Sequence, residues 1–291
     1  MCERYPVSLC KAILRGLKRH LLLRKSVGLC SLELNEIGPH FDEPSQDLSA
    51  ATWLASLKTE FFDELIGLPL DSDLVRKGRR LEMEFLAKLG EPKGCKFGIW
   101  DVVPVKQCFD TTGRKPVGVR WVDTDKSSNP NLPDIRCRLV VQETNRVTTL
   151  DLSQNPGAAF ASTVPMEVIR IQLSMFMSRP APKLFQTHDD DWVIIMVDIS
   201  RAHPHAEVQR ELFTTLPEEH PASGDPLQCG LLRMNLYGAK DAGKNFENLV
   251  CDISVDFGGS RGLANPCVFR HSEKDLNWLH YGDDFMQYGR L

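Results

Sequence analysis

The stretch Leu276-Asn277-Trp278-Leu279-His280-Tyr281-Gly282-Asp283-Asp284-Phe285-Met286-Gln287-Tyr288 decides the fold of this chain. Two adjacent carboxylates follow a glycine between two short apolar runs. That is the pattern of a β-hairpin with Gly282 and the aspartates at its tip. Ionised aspartates side by side repel each other, so a fold tolerates them cheaply only in solvent or beside a cation. A second element supplies the missing partner. Trp192-Val193-Ile194-Ile195-Met196-Val197 is an apolar run long enough for a buried strand, and it ends in Asp198. If that strand pairs with the hairpin, Asp198 joins Asp283 and Asp284 at one rim. Three carboxylates meeting there form a hard-oxygen site suited to two magnesium ions about 3.5–4 Å apart, the arrangement that drives in-line phosphoryl displacement. A Gly-Asp-Asp turn or an apolar strand ending in Asp is commonplace by itself; their order and surroundings give them weight.

The chain has 291 residues, enough for one large core or two smaller ones. With 42% apolar and 25% charged residues it has the composition of a soluble globular protein. No apolar run approaches the roughly 18 residues that span a bilayer. The nine cysteines are scattered, odd in number and lack a Cys-x-x-Cys pair, which argues against a zinc site or disulfide framework and for a reducing, intracellular setting, cytoplasmic or nuclear. A net charge of −4 argues mildly against a protein devoted to nucleic acid, although a basic channel can coexist with an acidic exterior.

Charge is unevenly spread. Residues 4–32 hold no Asp or Glu, while Lys11, Arg15, Lys18, Arg19, Arg24 and Lys25 crowd together beside Leu9, Ile13, Leu17 and Leu21 at helical spacing. This basic amphipathic helix reads as a surface helix, an organelle presequence or the end of an upstream phosphate-binding module. Residues 35–51 read as a linker, so 1–52 form an N-terminal basic helix and linker, followed by a helical connecting segment over 53–97. Leu74, Leu81, Phe85 and Leu89 predict a structural helix capped by Asp71 or Ser72 and closed by Gly90 as a C-cap.

After Gly98 the runs Ile99–Val103, Val117–Val122 and Arg138–Val141 are β-rich. Helical periodicity returns over Met166–Met177 and Ala239–Cys251, with a short strand at Leu231–Met234 between the Asp198 strand and the second helix. The polar run Asp189-Asp190-Asp191 reads as a solvated turn. Strands alternating with helices, with acids at strand ends, predict an α+β fold with an antiparallel sheet backed by helices.

At this point the residues resemble the reverse transcriptase domain of a copia-type LTR-retrotransposon Pol polyprotein, in order, over roughly residues 60–291. Phe61-Phe62-Asp63-Glu64-Leu65 with Gly67-x-Pro69-Leu70 is similar to the segment before the polymerase domain. Ile99-Trp100-Asp101-Val102-Val103-Pro104 resembles its opening strand. Arg120-Trp121-Val122, Lys126 and Arg136-x-Arg138-Leu139-Val140 resemble the fingers hairpin. Val197-Asp198-Ile199-Ser200-Arg201-Ala202 resembles the first catalytic motif, and Leu216-Pro217 its sequel. Leu236-Tyr237-Gly238-Ala239-Lys240-Asp241-Ala242 is similar to the template-side motif, and Tyr281-Gly282-Asp283-Asp284 completes the set.

The resemblance implies reverse-transcriptase-like fingers and palm over 98–291, preceded by a mainly helical N-terminal region, and RNA-directed DNA polymerase activity. It implies Asp198, Asp283 and Asp284 as catalytic residues binding two Mg²⁺ ions, with Mn²⁺ as an alternative and the Ile199 carbonyl as a further ligand. One metal would lower the pKa of the primer 3′-hydroxyl and the other would neutralise the leaving pyrophosphate. Arg138, then Arg136 or Lys126, would meet the incoming deoxynucleoside triphosphate through guanidinium forks or a point charge; the bland reading of these cations is a solvated strand edge. Tyr237, Gly238, Tyr281 and Gly282 would border an RNA or DNA primer–template, Gly238 by allowing close backbone approach.

Three departures stand out. His203 occupies the position of a bulky aromatic that excludes a ribose 2′-hydroxyl, which implies looser sugar discrimination at the nucleotide site, or an ordinary half-buried histidine. Gly282 stands where Val or Met is usual, implying a more flexible turn. The chain also ends seven residues after Asp284, where the family continues with a thumb, an RNase H and the rest of Pol, integrase included. Against the polymerase reading stands an inactive retroelement remnant that binds nucleic acid weakly. A nucleotide cyclase with two metals is disfavoured by the Leu236–Ala242 string.

Overall fold

A computed structural model of the chain describes residues 30–32, 60–129, 132–144, 148, 150, 156–178 and 192–290. The expected basic helix, the linker over 35–51 and the run Asp189–Asp191 lie outside the described residues. In chain order the elements are β1 (Cys30–Leu32), β2 (Phe61–Phe62), β3 (Pro69–Leu70), α1 (Ser72–Gly90), β4 (Trp100–Pro104), α2 (Val105–Thr112), β5 (Val119–Asp125) and β6 (Ile135–Val141). There follow α3 (Met166–Met177), β7 (Trp192–Asp198), β8 (Phe213–Thr214), β9 (Gln228–Leu232), α4 (Ala242–Asp256), β10 (Ser260–Arg261), β11 (Val268–His271), β12 (Leu276–Tyr281) and β13 (Asp284–Arg290). The architecture is mixed helix and largely antiparallel sheet, consistent with the α+β class.

The described residues fall into two compact units. The first takes in β1, the described part of Leu152–Ala206, and Gly243–Leu291. Its sheet has the order β1-β7-β13-β12-β11-β10. All pairs are antiparallel except β1 with β7, where Cys30 lies opposite Ile195 in parallel register. The period-2 alternation along β7 sets what each face does. Ile195 and Val197 point with Phe285, Trp278 and Phe269 into a core closed by Phe246, Val250 and Ile253 of α4. On the other face Ile194, Leu279 and Met286 pack with Val168 and Ile169 of α3. The Tyr288 hydroxyl donates to Gln172 Oε1 at 2.6 Å and fixes α3 along that face.

The second unit holds the rest of the described chain through Ala242. A three-stranded sheet, β4-β9-β8, and the hairpin β5-β6 share a core of Trp100, Leu139, Val141, Leu212, Leu236 and Leu86. Helix α1 starts where Asp71 Oδ1 accepts the backbone N–H groups of Asp73 and Leu74, both at 2.9 Å, an N-cap that satisfies two orphan donors. Its Arg79 pairs with Asp123 at 2.6 Å and lies over the rings of Phe61 (4.7 Å) and Trp121 (5.2 Å), fastening the helix to β2 and β5.

Several sequence-based boundaries move for identifiable reasons. Val117 leaves β5 and instead bridges to Thr214. The strand expected at Leu231–Met234 begins earlier, at Gln228, because β9 pairs with β4 from Gln228 opposite Pro104 to Leu232 opposite Trp100. The last helix begins at Ala242 rather than Ala239, since Gly238 turns the chain at φ +83°. Gly90 is no C-cap. It has helical dihedrals (φ −79°, ψ −24°), and a Cβ there would stand 1.8 Å from the Gly98 carbonyl oxygen. The glycine lets the end of α1 touch the chain that returns toward β4.

That distinction is testable. In an open helix Gly→Ala gains about 1 kcal/mol of propensity. Gly90→Ala is expected instead to lower the thermal unfolding midpoint, at a cost of about 1–3 kcal/mol from overpacking. A raised midpoint would return Gly90 to a capping role.

Candidate functional site

The first unit builds the acidic rim. β7 and β13 pair antiparallel over seven residues, from Trp192 opposite Arg290 to Asp198 opposite Asp284. Directly opposed residues on neighbouring strands carry their side chains on the same face, so the register puts Asp198 and Asp284 side by side across the ladder. The Ile199 N–H donates to the Asp283 carbonyl at 3.0 Å, which extends the pairing one residue beyond both strands. All three aspartates are exposed. Sequence reasoning thus placed the acids on the right elements and at one end of the sheet.

At the hairpin tip Tyr281 pairs with Asp284, leaving a two-residue loop of Gly282 and Asp283. Gly282 has φ +62°, whereas Asp283 is not among the positive-φ residues. This matches the type II′ turn, whose first central residue is glycine and whose twist suits a two-residue hairpin. Gly282 therefore meets a backbone requirement that Val or Met would meet only under strain. Tyr281 is half-exposed at the end of β12.

Charge at the rim stands above an apolar base. His280 is buried between Phe269 and Phe285, ring centroids 6.3 and 5.6 Å away, and burial pushes its pKa down to about 4. It is neutral at pH 7. Asp284 titrates above the ordinary carboxylate value, first because it is partly desolvated and then because Asp283 carries a like charge beside it. Among the described residues no three His, Cys, Asp or Glu side chains are gathered closely enough to hold a metal ion. Backbone register brings the acids to one rim without closing their carboxylates into a ready-made cage.

His203 begins a short 3₁₀ turn after the Asp198 strand. It is half-buried, with its ring edge-on to Phe246 at 6.4 Å, and a Cβ at Gly243 would lie 4.0 Å from its Nε2. The intervening Arg201 has φ +54°, a left-handed conformation that costs a non-glycine residue about 1–2 kcal/mol.

In the second unit β5 and β6 place Arg136 opposite Thr124 and Arg138 opposite Val122, two residues apart on the hairpin face turned away from α1. Arg136 and Lys126 are exposed. Arg138 is half-buried, lies over the Tyr237 ring at 4.8 Å, and has a buried Nε with no hydrogen-bond partner among the described residues. The Val141 N–H donates to the Tyr237 carbonyl at 2.7 Å. At Gly238 a Cβ would meet the Val141 carbonyl oxygen at 2.1 Å. The structural need for this glycine is close approach to β6.

Sequence reasoning missed two buried carboxylate clusters. Glu143 and Asp241 share Arg210 in the second unit. Glu247 in the first unit accepts from Lys244 (3.2 Å), Arg261 (2.9 Å) and the Ser162 N–H (2.8 Å). Apart from the i,i+3 pair Lys244–Glu247, the partners come from separate stretches of the chain, so no local spacing marks the clusters.

Residues 98–287 match the family model for reverse transcriptase (RNA-dependent DNA polymerase). The chain belongs to that family. It is also similar to the retrovirus-related Pol polyprotein from transposon TNT 1-94 of Nicotiana tabacum, 24% identical over 235 residues that cover 79% of this chain and 16% of that protein. The chain thus spans about a sixth of the curated relative it matches, and the two matches bear out a copia-type reverse transcriptase domain. No solved structure matches. Among the described residues no helix is long and apolar enough to cross a membrane.

Two outcomes check this geometry. Gly282→Val has open space around it but a left-handed backbone, and is expected to cost about 1–2 kcal/mol in urea unfolding; an unchanged stability would remove the type II′ assignment. A raised carboxylate pKa makes the folded state favour the proton, so Asp284 weakens folding as pH rises through its folded pKa. Carbon-13 titration is expected to place Asp284 above an ordinary aspartate and to move it down in Asp283→Asn, whereas equal values in both proteins would show that the two carboxylates do not interact.

Proposed function

We propose that this chain carries the polymerase centre of an RNA-directed DNA polymerase, with residues 98–291 as fingers and palm and 1–52 and 53–97 as separate leading segments. One observation carries the reading: the antiparallel register that opposes Asp198 to Asp284 beside Asp283. Hard carboxylate oxygens gathered at one rim are a donor set that suits Mg²⁺, or Mn²⁺ in its place. Asp198, Asp283 and Asp284 would hold two such ions, with the Ile199 carbonyl as a further ligand. When bound, the ions would supply a lowered pKa for a primer 3′-hydroxyl and neutralise charge on the departing pyrophosphate.

The chain's own residues do the rest. Asp198 anchors the rim from β7, where flanking strands fix its backbone. Gly282 holds Asp283 at the tip through a turn that only glycine adopts cheaply. Arg138, poised on Tyr237 with an unsatisfied Nε, is the cation best prepared to meet a triphosphate oxygen. Arg136 and Lys126 on the same hairpin add exposed positive charge. Tyr237, Gly238, Tyr281 and Gly282 would border the primer–template. His203, half-buried near Phe246, would stand at the sugar of the incoming nucleotide. The substrates are then an RNA or DNA primer–template and deoxynucleoside triphosphates within the cell. An RNase H and an integrase encoded in the same Pol polyprotein would complete the element's cycle.

Mg²⁺-dependent incorporation of deoxynucleotides on a primed RNA is expected from the chain. Asp198→Ala and Asp283→Ala are each expected to reduce it by more than about 100-fold, since losing only a group that orients a metal ligand already costs about 10–100-fold. Equal incorporation by wild type and both variants would defeat the mechanism. His203→Phe is expected to lower ribonucleotide relative to deoxynucleotide incorporation by several-fold; an unchanged ratio would remove the sugar gate from this position.

A further inference from the structure

Three regions outside the rim present themselves: a cavity of about 1190 Å³ beside α1, the exposed face of α3, and the buried ion cluster around Arg210. The cavity wall mixes Arg76, Lys77 and Arg80 with Glu60, Glu218 and Glu219, so its charge selects no ligand. Nothing on α3 identifies what would cover Ile171 and Met175. The ion cluster carries an argument through.

Its members come from three separate stretches of the second unit. Arg210 grips Asp241 with two parallel bonds, Nε to Oδ2 at 3.1 Å and Nη2 to Oδ1 at 3.0 Å. The same Nη2 donates to Glu143 Oε2 at 2.6 Å. Glu143 Oε2 also accepts the Lys240 N–H at 2.9 Å, and its Oε1 accepts the Thr148 hydroxyl at 2.6 Å. The side chains are deeply buried: Arg210 is 14% exposed, Asp241 6% and Glu143 0%. Buried charge persists only when hydrogen bonds occupy its lone pairs, and here backbone and hydroxyl donors do so.

What the cluster holds in place is the segment 237–242. The Lys240 N–H and Asp241 are the attachment points, three and four residues after Tyr237. At the other end the Tyr237 carbonyl takes the Val141 N–H at 2.7 Å, and Gly238 lies against Val141. The Tyr237 ring is the platform on which the Arg138 guanidinium rests at 4.8 Å. The segment is therefore clamped on both sides of Gly238, a residue whose φ of +83° would otherwise leave it pliable. A guanidinium that starts in place loses less side-chain freedom when it binds an anion.

We propose that Glu143, Arg210 and Asp241 are positioning residues that, by holding Tyr237 beneath Arg138, present the Arg138 guanidinium to the phosphates of an incoming nucleotide. The assignment rests on the reading of Arg138 as a nucleotide contact. None of the three touches the phosphates themselves. They act by pre-organisation, so their loss raises the dissociation constant for nucleotide more than it lowers turnover.

The test is a double-mutant cycle on dTTP binding to the full chain, measured by titration calorimetry, with unfolding midpoints recorded for every variant. Asp241→Asn keeps shape and removes charge, and is expected to weaken binding by about tenfold, the upper end of what pre-ordering one long side chain is worth. Thr148→Val is the milder change, removing one hydroxyl from Glu143, and takes the place of Asp241→Asn if that variant fails to fold. In an Arg138→Ala background the same substitutions are expected to cost nothing further, because they act through Arg138. Additive losses in that background would overturn the positioning role while leaving Arg138 as the contact. Full affinity in Arg138→Ala would instead overturn the nucleotide-contact reading on which the proposal stands. Arg210→Lys keeps the charge without the fork and is expected to retain only part of the affinity; full affinity would overturn the positioning role of the Arg210 grip.

Discussion

The antiparallel ladder between β7 and β13 is the constraint on which the rest of this chain depends. Side chains alternate across a strand, so a slip of one residue would turn Asp198 into the α4 core and lift Val197 to the rim. The register is held from both sides. Ile195, Val197 and Phe285 bury against Phe246 and Val250, while Ile194 and Met286 pack beneath α3. Apolar burial at roughly 25 cal/mol per Å² fixes which residues end the ladder, and repulsion among the acids is too weak to move it. The acidic rim is thus a by-product of core packing, placed at the end of the strands where solvent can reach it.

A rim of this kind gathers charge without neutralising it. His280, on β12 just below the tip, is sealed between two phenylalanines and stays neutral. The Asp283 carboxylate raises the pKa of Asp284 after partial desolvation has done so. The electrostatic state of the bare rim is therefore one that a divalent cation would relieve. In the other unit Arg138 presents the complementary case, a guanidinium stacked on an aromatic ring with part of its donor set unused.

How much of this was legible in the sequence follows from how local each signal is. The hairpin at 276–288 and the apolar run ending in Asp198 are period-2 patterns bounded by turn residues, and both appear as strands. Met166–Met177 forms the helix its periodicity predicts, and Asp71 caps α1 because a cap is a matter of neighbouring residues. Glycines proved harder. Gly90 follows the last apolar residue as a C-cap would, yet its reason is Gly98, eight residues on and touching only in three dimensions. Gly238 likewise lies against Val141, a contact between distant stretches that no local pattern marks. The pairing of Arg210 with Glu143 and Asp241 is illegible for the same reason: a buried ion cluster assembled from three distant stretches leaves no periodicity. The family motifs, by contrast, could be read in order before any fold was known, and they converge on the reverse transcriptase family.

The central claim is that Asp198 shares a cation site with the Asp283–Asp284 pair, 85 residues on in the chain. Titrating the protein with Mn²⁺ while observing carbon-13 carboxyl signals tests it directly, since paramagnetic broadening falls steeply with distance from the ion. The account predicts that the signals of Asp198, Asp283 and Asp284 broaden together at the same substoichiometric Mn²⁺. Broadening of Asp283 and Asp284 with Asp198 left sharp would contradict it.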